Sequence, residues 1–221
     1  MTRHIAAPAL ALAAAATAFA AAPARAEIEL SFYTGAQEAA HSRVRGTDPG
    51  GVGDFSFLAK WEGRSFAPPP YYGLRGTWWK TERLGFGVEF THTKVYASDA
   101  TLRDNGFSVL EMTDGLNVLT ANVMYRWPNQ SRWTPYVGGG LGINVPHIEV
   151  TTSGGRTFEY QFGGMSAAVL AGVSYSFNDH WAAFGEYRGV YSQVDTDLSN
   201  GGNLKTDVIS NAVNFGISYR F

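Results

Sequence analysis

Hydrophobic and polar residues alternate with a period of two over most of this chain. In the last stretch, residues 206–221, every second position from Val213 to Phe221 is apolar, and the positions between them are polar or small. Successive side chains of a β-strand point to opposite faces, so this period belongs to a strand and not to a helix. An apolar face that ends in aromatic residues, opposite a polar face, is typical of a transmembrane barrel strand. The alternation therefore predicts a membrane-spanning closing strand.

Seven further segments alternate in the same way and are predicted to be strands: residues 27–37, 71–79, 84–96, 113–127, 133–150, 157–177 and 181–194. Short turns join them on one side, and longer external loops lie on the other, at about residues 38–70, 97–112, 151–156 and 195–205. Residues 54–62 also alternate, but a ninth span would break the even strand number of single-chain bacterial barrels, so they are interpreted as a hairpin arm of the first loop. The predicted fold class is all-β, an eight-stranded antiparallel up-and-down transmembrane β-barrel.

The parity of the apolar positions changes within the sixth predicted strand. Phe162 belongs to the upper apolar set and Val169 to the lower one, with Gly163 and Gly164 between them. A β-bulge inserts one residue and resets the register of a strand. The sequence therefore predicts a bulge at this glycine pair.

Nine polar side chains fall on the face that is predicted to point into the barrel: Glu29, Tyr33, Arg75, Glu89, Asn122, Asn144, Glu186, Arg188 and Asn214. The interior of an eight-stranded barrel is only just wide enough for side chains to fill it. Unpaired charges there would be costly. The three glutamates and two arginines therefore predict a buried network of ion pairs and hydrogen bonds that fills the lumen.

The N-terminus predicts a secretory signal. A basic residue precedes an alanine- and leucine-rich run at residues 5–22, and the triplet at residues 24–26 fits an A-x-A cleavage site. The predicted domains are a cleaved signal peptide, residues 1–26, and a barrel, residues 27–221. An N-terminal membrane anchor fits poorly because proline interrupts the run, which ends in small residues. The remaining chain has no stretch of the ~20 apolar residues that a membrane helix needs.

Composition and charge exclude several kinds of site and argue against one kind of partner. There is no cysteine, which excludes a disulfide, a thiolate nucleophile and a zinc–thiolate or iron–sulfur site. The formal net charge is −2, and loss of Arg3 and Arg25 with the predicted signal takes it to −4. A mildly acidic chain argues against nucleic acid as a partner.

Two enzyme-like patterns are weak. The glycine-rich segment at residues 138–142 continues as a strand, whereas a dinucleotide motif needs a strand, a turn and a helix in succession. A hydrolase needs a nucleophile and a base on one face, but His41 and Ser42 are adjacent, and adjacent side chains of an extended chain point to opposite sides. A lipid A deacylase stays an alternative because a loop can bend this pair together.

Histidines and carboxylates gather near the predicted outer ends of the strands: His41, Asp54, Glu62, His92, Asp99, Asp114, His147, Glu149 and Glu159. His147 and Glu149 are two residues apart, so in a strand they share a face and can ligate one cation. His92 and Lys94 share a face that by parity points toward lipid. A lysine near the membrane interface costs almost nothing, and the pair is expected at the level of lipopolysaccharide phosphates.

Six segments of the chain resemble the lipid A oxidases of alphaproteobacteria. They are WEGRSF at residues 61–66, PPYYG at 69–73, GFGVEFTH at 85–92, TDGLN at 113–117, YVGGG at 136–140 and VPH at 145–147. The resemblance implies an outer-membrane enzyme that uses oxygen to oxidise the proximal glucosamine of lipid A to an aminogluconate unit. The resemblance also implies that hydrogen peroxide is released and that a divalent metal ion is involved. The terminal Phe221 also resembles the residue that the barrel assembly machinery reads in bacterial outer-membrane proteins.

The resemblance supplies no ligand motif, so the site residues are predicted from position. A 2-His-1-carboxylate arrangement is the usual choice for non-haem iron, and the predicted metal ligands are His92, His147, Glu149 and Glu159. The predicted catalytic residues are His92, Asp114 and His147, and the predicted substrate-binding residues are Trp61, Arg64 and Lys94. The expected partners are lipid A within lipopolysaccharide, the outer membrane and the assembly machinery. A non-catalytic barrel or surface adhesin is the alternative, because a filled lumen suits it equally well.

Overall fold

The computed structural model describes residues 27–221, apart from the side chain of Thr113. The predicted signal peptide lies outside the described residues. The elements in chain order are β1 (Glu27–Ala39), β2 (Ser42–Asp48), β3 (Gly53–Ala59), β4 (Trp61–Glu62), β5 (Tyr72–Trp79), β6 (Leu84–Ala97), α1 (Asp99–Asn105), β7 (Val109–Arg126), β8 (Trp133–Thr152), β9 (Gly155–Tyr160), β10 (Gly164–Ser176), β11 (Trp181–Asp197) and β12 (Asn203–Arg220).

Eight strands close into an antiparallel ring in the order β1, β5, β6, β7, β8, β10, β11 and β12. The ring closes because β1 also pairs with β12, in a register that runs from Glu29 opposite Arg220 to Ala39 opposite Ser210. The predicted eight-stranded barrel and the closing role of the C-terminal strand are confirmed. Several strands begin or end beyond the predicted bounds on the loop side, because their pairing continues past the apolar band.

The sixth predicted strand is two strands. β9 pairs with β8 alone, whereas β10 pairs with both β8 and β11. Between them, the Gly163 N–H donates to the Asn144 carbonyl at 3.0 Å, and Gly164 has a φ of 146°, which L side chains rarely adopt. The predicted register change is therefore confirmed at the glycine pair, but it occurs as a break and not as a bulge within one strand.

The first external loop is largely sheet. The predicted hairpin arm is longer than expected: β2 pairs with β3 along its length, and β2 also pairs with β12, from Val44 opposite Thr206 to Thr47 opposite Asn203. The short β4 pairs with the upper end of β6. These pairings extend the wall of the barrel above the apolar band, next to β12 and next to β6.

The helix α1 lies in the second external loop. The Ser98 side chain accepts a hydrogen bond from the Thr101 N–H at 3.3 Å, and Gly106 adopts a left-handed conformation directly after the helix. A serine N-cap and a left-handed glycine are the usual helix boundaries. Among the described residues, no helix is long and apolar enough to cross a membrane.

The lower part of the lumen holds the predicted polar network. Arg75 and Glu186 form an ion pair at 2.7 Å, and Arg188 approaches Glu89 at 2.7 Å without the alignment of a hydrogen bond. The Tyr33 hydroxyl donates to Glu89 at 2.5 Å. The other predicted lumen residues are also hydrogen-bonded: Glu29, Asn122, Asn144 and Asn214. The predicted network is confirmed, and it joins strands on opposite sides of the ring.

The upper part of the lumen is apolar instead. Buried side chains from the ring strands, the first loop and the segment after α1 form one hydrophobic core, which includes Val44, Trp61, Val95, Phe107, Leu116, Ile148, Val194, Leu204 and Val208. The external loops therefore pack on a core of their own. On the outside, an exposed apolar band surrounds the barrel and includes Leu30, Phe32, Leu74, Trp78, Val88, Leu119, Val123, Val169, Val213 and Phe215. Exposed apolar surface of this extent suits a lipid environment.

Three external turns are joined at Asp48. Its carboxylate accepts hydrogen bonds from the Thr152 hydroxyl at 2.7 Å and from the Val52 N–H at 2.9 Å, and the Asn200 side-chain amide donates to its other oxygen. Burial alone would raise the pKa of Asp48, but these three hydrogen bonds outweigh it, and the pKa of Asp48 is lowered. The ionised carboxylate therefore ties together the loops that follow β2, β8 and β11.

Replacing Glu89 should destabilise the barrel. We expect Glu89→Gln to lower the free energy of unfolding by about 3–5 kcal/mol, because it leaves the buried Arg188 without its counter-ion. Urea unfolding followed by tryptophan fluorescence measures the loss. Glu82→Gln, in an exposed turn, removes the same charge as a control. Equal stability of the two variants would contradict a structural role for the network.

The hydrogen bonds that Asp48 accepts from the external loops should depend on pH. Since its pKa in the folded protein lies below the unfolded value of about 3.9, the contribution of Asp48 is fully present above about pH 4 and is lost as the pH falls through the lowered pKa. We expect the NMR amide signal of Val52 to shift with a midpoint below the ordinary aspartate value. The shift should be missing in Asp48→Asn. A midpoint at or above the ordinary pKa of aspartate would show that these hydrogen bonds to Asp48 are not formed.

Candidate functional site

Strand register brings polar side chains together on the outer wall above the apolar band. One row across the wall contains Tyr72, His92 and Asn117 on β5, β6 and β7. The uppermost row contains Tyr96, Glu111 and Glu149 on β6, β7 and β8. His147 of β8 lies between these rows, opposite Tyr160 of β9, and Asp114 lies where the β7 register shifts between Met112 and Leu116. We call this outer region the lateral face.

His92 is held firmly in the lateral face. Its ring stacks on the Tyr72 ring with centroids 5.3 Å apart, and its Nδ1 is 3.0 Å from the Asn117 Oδ1. The backbone of Gly115 passes close by, with φ of 86°, and a Cβ there would lie 2.5 Å from the imidazole. Glycine at this position therefore permits both the turn of the chain and the approach to His92.

His147 and Asp114 form a second pair. The distance between His147 Nδ1 and Asp114 Oδ2 is 3.5 Å, which is an ion-pair distance if the imidazole is protonated. The His147 ring is packed between Phe158 and Tyr160, with centroid distances of 4.4 Å to each. His147 is buried, whereas the Asp114 side chain is 43% exposed. An aspartate beside a histidine can orient it and stabilise its protonated form.

A cleft of about 400 Å³ opens on the lateral face. Its walls include His92, Asp114, Asn117 and Tyr160, and Pro69 of the first loop contributes as well. Phe90 and Tyr72 complete its lining and lie on the outer surface next to the apolar band. The cleft is therefore reached from the side of the barrel and not through the lumen.

The predicted metal ligands do not all converge. His147 and Glu149 share the outer face as predicted, but Glu149 accepts a hydrogen bond from Arg156 at 2.8 Å. Glu159 lies opposite Ile148 in the β8–β9 pair, which places it on the other face, and it accepts a bond from Gln161 at 2.9 Å.

Among residues 27–221, no group of three or more histidine, aspartate or glutamate side chains is arranged to hold a metal ion. Three or more convergent protein ligands are the usual basis of a resident metal site. The protein side chains by themselves therefore do not fit the divalent cation that the resemblance implies.

Lys94 has the predicted parity but is not exposed to lipid. At the register shift, Thr93 and Val95 are two residues apart on β6 while their partners on β7, Leu116 and Met112, are four apart, so the extra residues belong to β7 and the alternation of β6 continues. The Gln37 side chain bonds both the N–H and the carbonyl of Lys94 at 3.0 Å, and the lysine is buried with its Nζ 5.2 Å from the centre of the Tyr96 ring. Lys94 therefore shares the outer face with His92 and Tyr96, but its neighbours cover it. His92, also expected to face lipid, has the predicted parity but is covered by its neighbours.

The two other predicted substrate-binding residues, Trp61 and Arg64, differ in their exposure to solvent. Trp61 is buried in the upper core, and its indole N–H donates to the Ser42 hydroxyl at 2.8 Å, so its role is to hold the first loop. Arg64 stays accessible and pairs with Glu62 at 2.8 Å. The Ser42 hydroxyl also contacts Thr206 at 2.9 Å, while His41 is exposed. The serine of the deacylase alternative thus has other partners.

Sequence reasoning missed three of the polar residues of the cleft, Tyr72, Asn117 and Tyr160. The alternation assigns Tyr72 to the outer face, and His92 on the next strand is a predicted site residue. Their contact depends on the register between β5 and β6, which the alternation does not give. Asn117 lies within the TDGLN segment, but its contact with His92 depends on the same register. Tyr160 reaches His147 only because β9 folds back on β8, and no local pattern signals that contact.

Comparisons with known proteins agree with the barrel. The sequence model of the family described as "Outer membrane protein beta-barrel domain" matches residues 11–221. The outer membrane protein AlkL, solved in lipid bilayers, is 15% identical with a TM-score of 0.53, over 100% of this chain and 97% of that chain.

Two further solved structures are similar. Neisserial surface protein A is 18% identical with a TM-score of 0.49, over 89% of this chain and 97% of that chain. A major outer membrane protein of Thermus thermophilus is 11% identical with a TM-score of 0.49, over 89% of this chain and 99% of that chain. No curated protein matches the sequence. At these identities the likeness concerns the fold.

The protein in detergent should bind divalent cations only weakly. Because His147 and Glu149 are not joined by a third protein ligand, we expect a dissociation constant for Mn²⁺ or Fe²⁺ weaker than about 1 mM. Anaerobic isothermal titration calorimetry measures it. A stoichiometric micromolar site that is lost in His147→Ala and retained in His180→Ala, on the opposite rim, would show that the lateral face assembles a metal site after all.

Proposed function

This chain belongs to the outer membrane protein β-barrel domain family, and from that premise we propose that it is an enzyme that oxidises lipid A from the side of the barrel. Family membership places the chain in the bacterial outer membrane. The proposed substrate is the proximal glucosamine of lipid A, and oxygen is the proposed co-substrate. We further propose that the barrel assembly machinery reads the C-terminal strand, which ends in the exposed Phe221.

The observation that carries the proposal is the position of the cleft. The lipid-exposed Leu119 lies opposite Phe90, and the next outward row, two residues higher, contains His92 and Asn117. Two strand residues span about 7 Å. The polar cleft thus begins directly above the apolar band, at the height where the sugars and phosphates of lipid A meet its acyl chains. A soluble substrate would not require an opening at this level.

The folded first loop also supports an enzyme. The Ser65 hydroxyl donates to the Gln37 carbonyl at 2.9 Å and accepts from the Gln37 N–H at 2.7 Å. The Gly63 N–H donates to Glu38 at 2.9 Å. These bonds hold the loop that delivers Pro69 to the edge of the cleft. A catalytic rim needs such fixed positions, because misplacement by about 1 Å lowers the rate markedly.

The proposed chemistry is a two-electron oxidation at C1 of the proximal sugar, and the resemblance to lipid A oxidases is the reason for choosing it. Asp114, which lines the cleft, takes the proton of a free C1 hydroxyl, and the buried His147 beside it orients the carboxylate. The C1 hydrogen and two electrons pass to oxygen, which becomes hydrogen peroxide when it also gains a proton. Water then opens the lactone to the aminogluconate. Asn117 and His92 line the cleft where they can hold the sugar. No step is assigned to a metal ion.

Lipid A from cells grown in air should reveal the activity. We expect expression of the wild-type protein to add one oxygen mass to the proximal sugar, seen by mass spectrometry. His147→Ala and Asp114→Asn should lower the yield by about 10²-fold or more, since each removes part of the proton transfer. His180→Ala, on the periplasmic turn, is the matched control. Heat-dependent electrophoretic mobility verifies that each variant folds.

Each other outcome supports a different function. Unchanged lipid A around a folded wild-type barrel would overturn the oxidase proposal and leave the non-catalytic barrel. Loss of an acyl chain would instead indicate a deacylase. Oxidation that persists in both His147→Ala and Asp114→Asn would move the reaction away from the lateral cleft.

A further inference from the structure

A second groove lies on another part of the outer wall. Its volume is about 870 Å³, and it is formed by β2, β10, β11, β12 and the segment that joins β9 to β10. None of its lining residues lines the lateral cleft. The proposed oxidation therefore leaves this groove without a role.

The upper lip of the groove is cationic. Arg43 and Arg45 are two residues apart on β2 and share its outer face, and Arg45 lies opposite Lys205 of β12. Lys205 pairs with Asp195 at 2.6 Å. Arg43 donates to the Ser56 hydroxyl at 3.2 Å. Within the described part of the chain, no carboxylate lies within ion-pair distance of either arginine.

The lower lip is apolar and reaches the lipid-facing band. It consists of four exposed side chains: Phe162, Met165, Tyr191 and Ile209. On β12, Ile209 is two residues below the level of Arg43 and four below that of Arg45. These separations correspond to about 7 and 13 Å along a strand. The guanidinium groups thus lie above the apolar lip by the distance that separates a lipid headgroup from its acyl chains.

We propose that this groove binds a phosphorylated lipid of the outer leaflet at a site separate from the lateral cleft. Arg43 and Arg45 hold the phosphate, since guanidinium groups bind phosphate oxygens through paired, charge-assisted hydrogen bonds. The acyl chains lie along Met165, Tyr191 and Ile209, where burial of apolar surface adds to binding. The same groove also contains Asp195 and Asp207. Lys205 neutralises Asp195.

Native mass spectrometry of the full chain in detergent, titrated with bis-phosphorylated lipid A, tests the proposal. Arg43→Gln combined with Arg45→Gln should weaken one bound lipid about tenfold or more, because two charge-assisted contacts are lost. Lys60→Gln combined with Arg103→Gln removes the same charge from exposed positions on the rim outside the groove, and it should leave binding unchanged. Lipid A without phosphates but with the same acyl chains should bind the wild type as weakly as the phosphorylated lipid binds the arginine variant.

Three results would overturn the proposal. An equal loss of affinity in the arginine variant and the control variant would indicate a general charge effect. Unchanged binding after phosphate removal would exclude the phosphate contact. Competition by a soluble sulfated glycan as strong as that by lipid A would assign the groove to a glycan and not to a lipid. His147→Ala combined with Asp114→Asn alters the lateral face and no residue of this groove, so failure of the oxidation proposal is distinguished from failure of this one.

Discussion

Closure of β12 on β1 is the interaction on which the rest of the structure depends. Lipid offers no hydrogen-bond partners, so every backbone group within the membrane must be paired by the protein, and only a ring without edges achieves this with strands. Ring closure at eight strands also fixes the width of the lumen, which side chains can just fill. The ion pairs from Arg75 and Arg188 to the opposite glutamates then become necessary, because charges buried in that space need partners.

Above the membrane, backbone groups no longer need partners from the protein, and the interior of the barrel changes from polar to apolar. Water can satisfy backbone groups there, and the wall no longer needs to be closed. The strands nevertheless continue, joined by the hairpin of β2 and β3, and they enclose an apolar core that includes Val44, Phe107 and Val194. This core fixes the external loops, and Asp48 ties their tips together. A stiff upper wall is the platform on which outward-facing side chains can hold defined positions.

Two polar regions interrupt the outer surface of that wall. The lateral face joins polar side chains on neighbouring strands, His92 to Asn117 and His147 to Asp114. The second groove places Arg43 and Arg45 above an apolar lip. Both begin at the upper edge of the apolar band, where the headgroups of outer-leaflet lipids lie. Because side chains fill the lumen, both proposals place the activity of the protein at the outer surface of the wall.

The sequence by itself determined the strands, their faces and the contents of the lumen, because a period of two is a local property that each strand carries alone. It also placed His92, Asp114 and His147 near the outer rim. Only the tertiary structure decided which of them meet. The neighbours of Lys94 bury it although its parity is outward, and the separate pairing of β9 brought Tyr160 to His147 while it directed Glu159 to the other face. Contacts of this kind depend on the register between distant strands, which alternation along one strand does not encode.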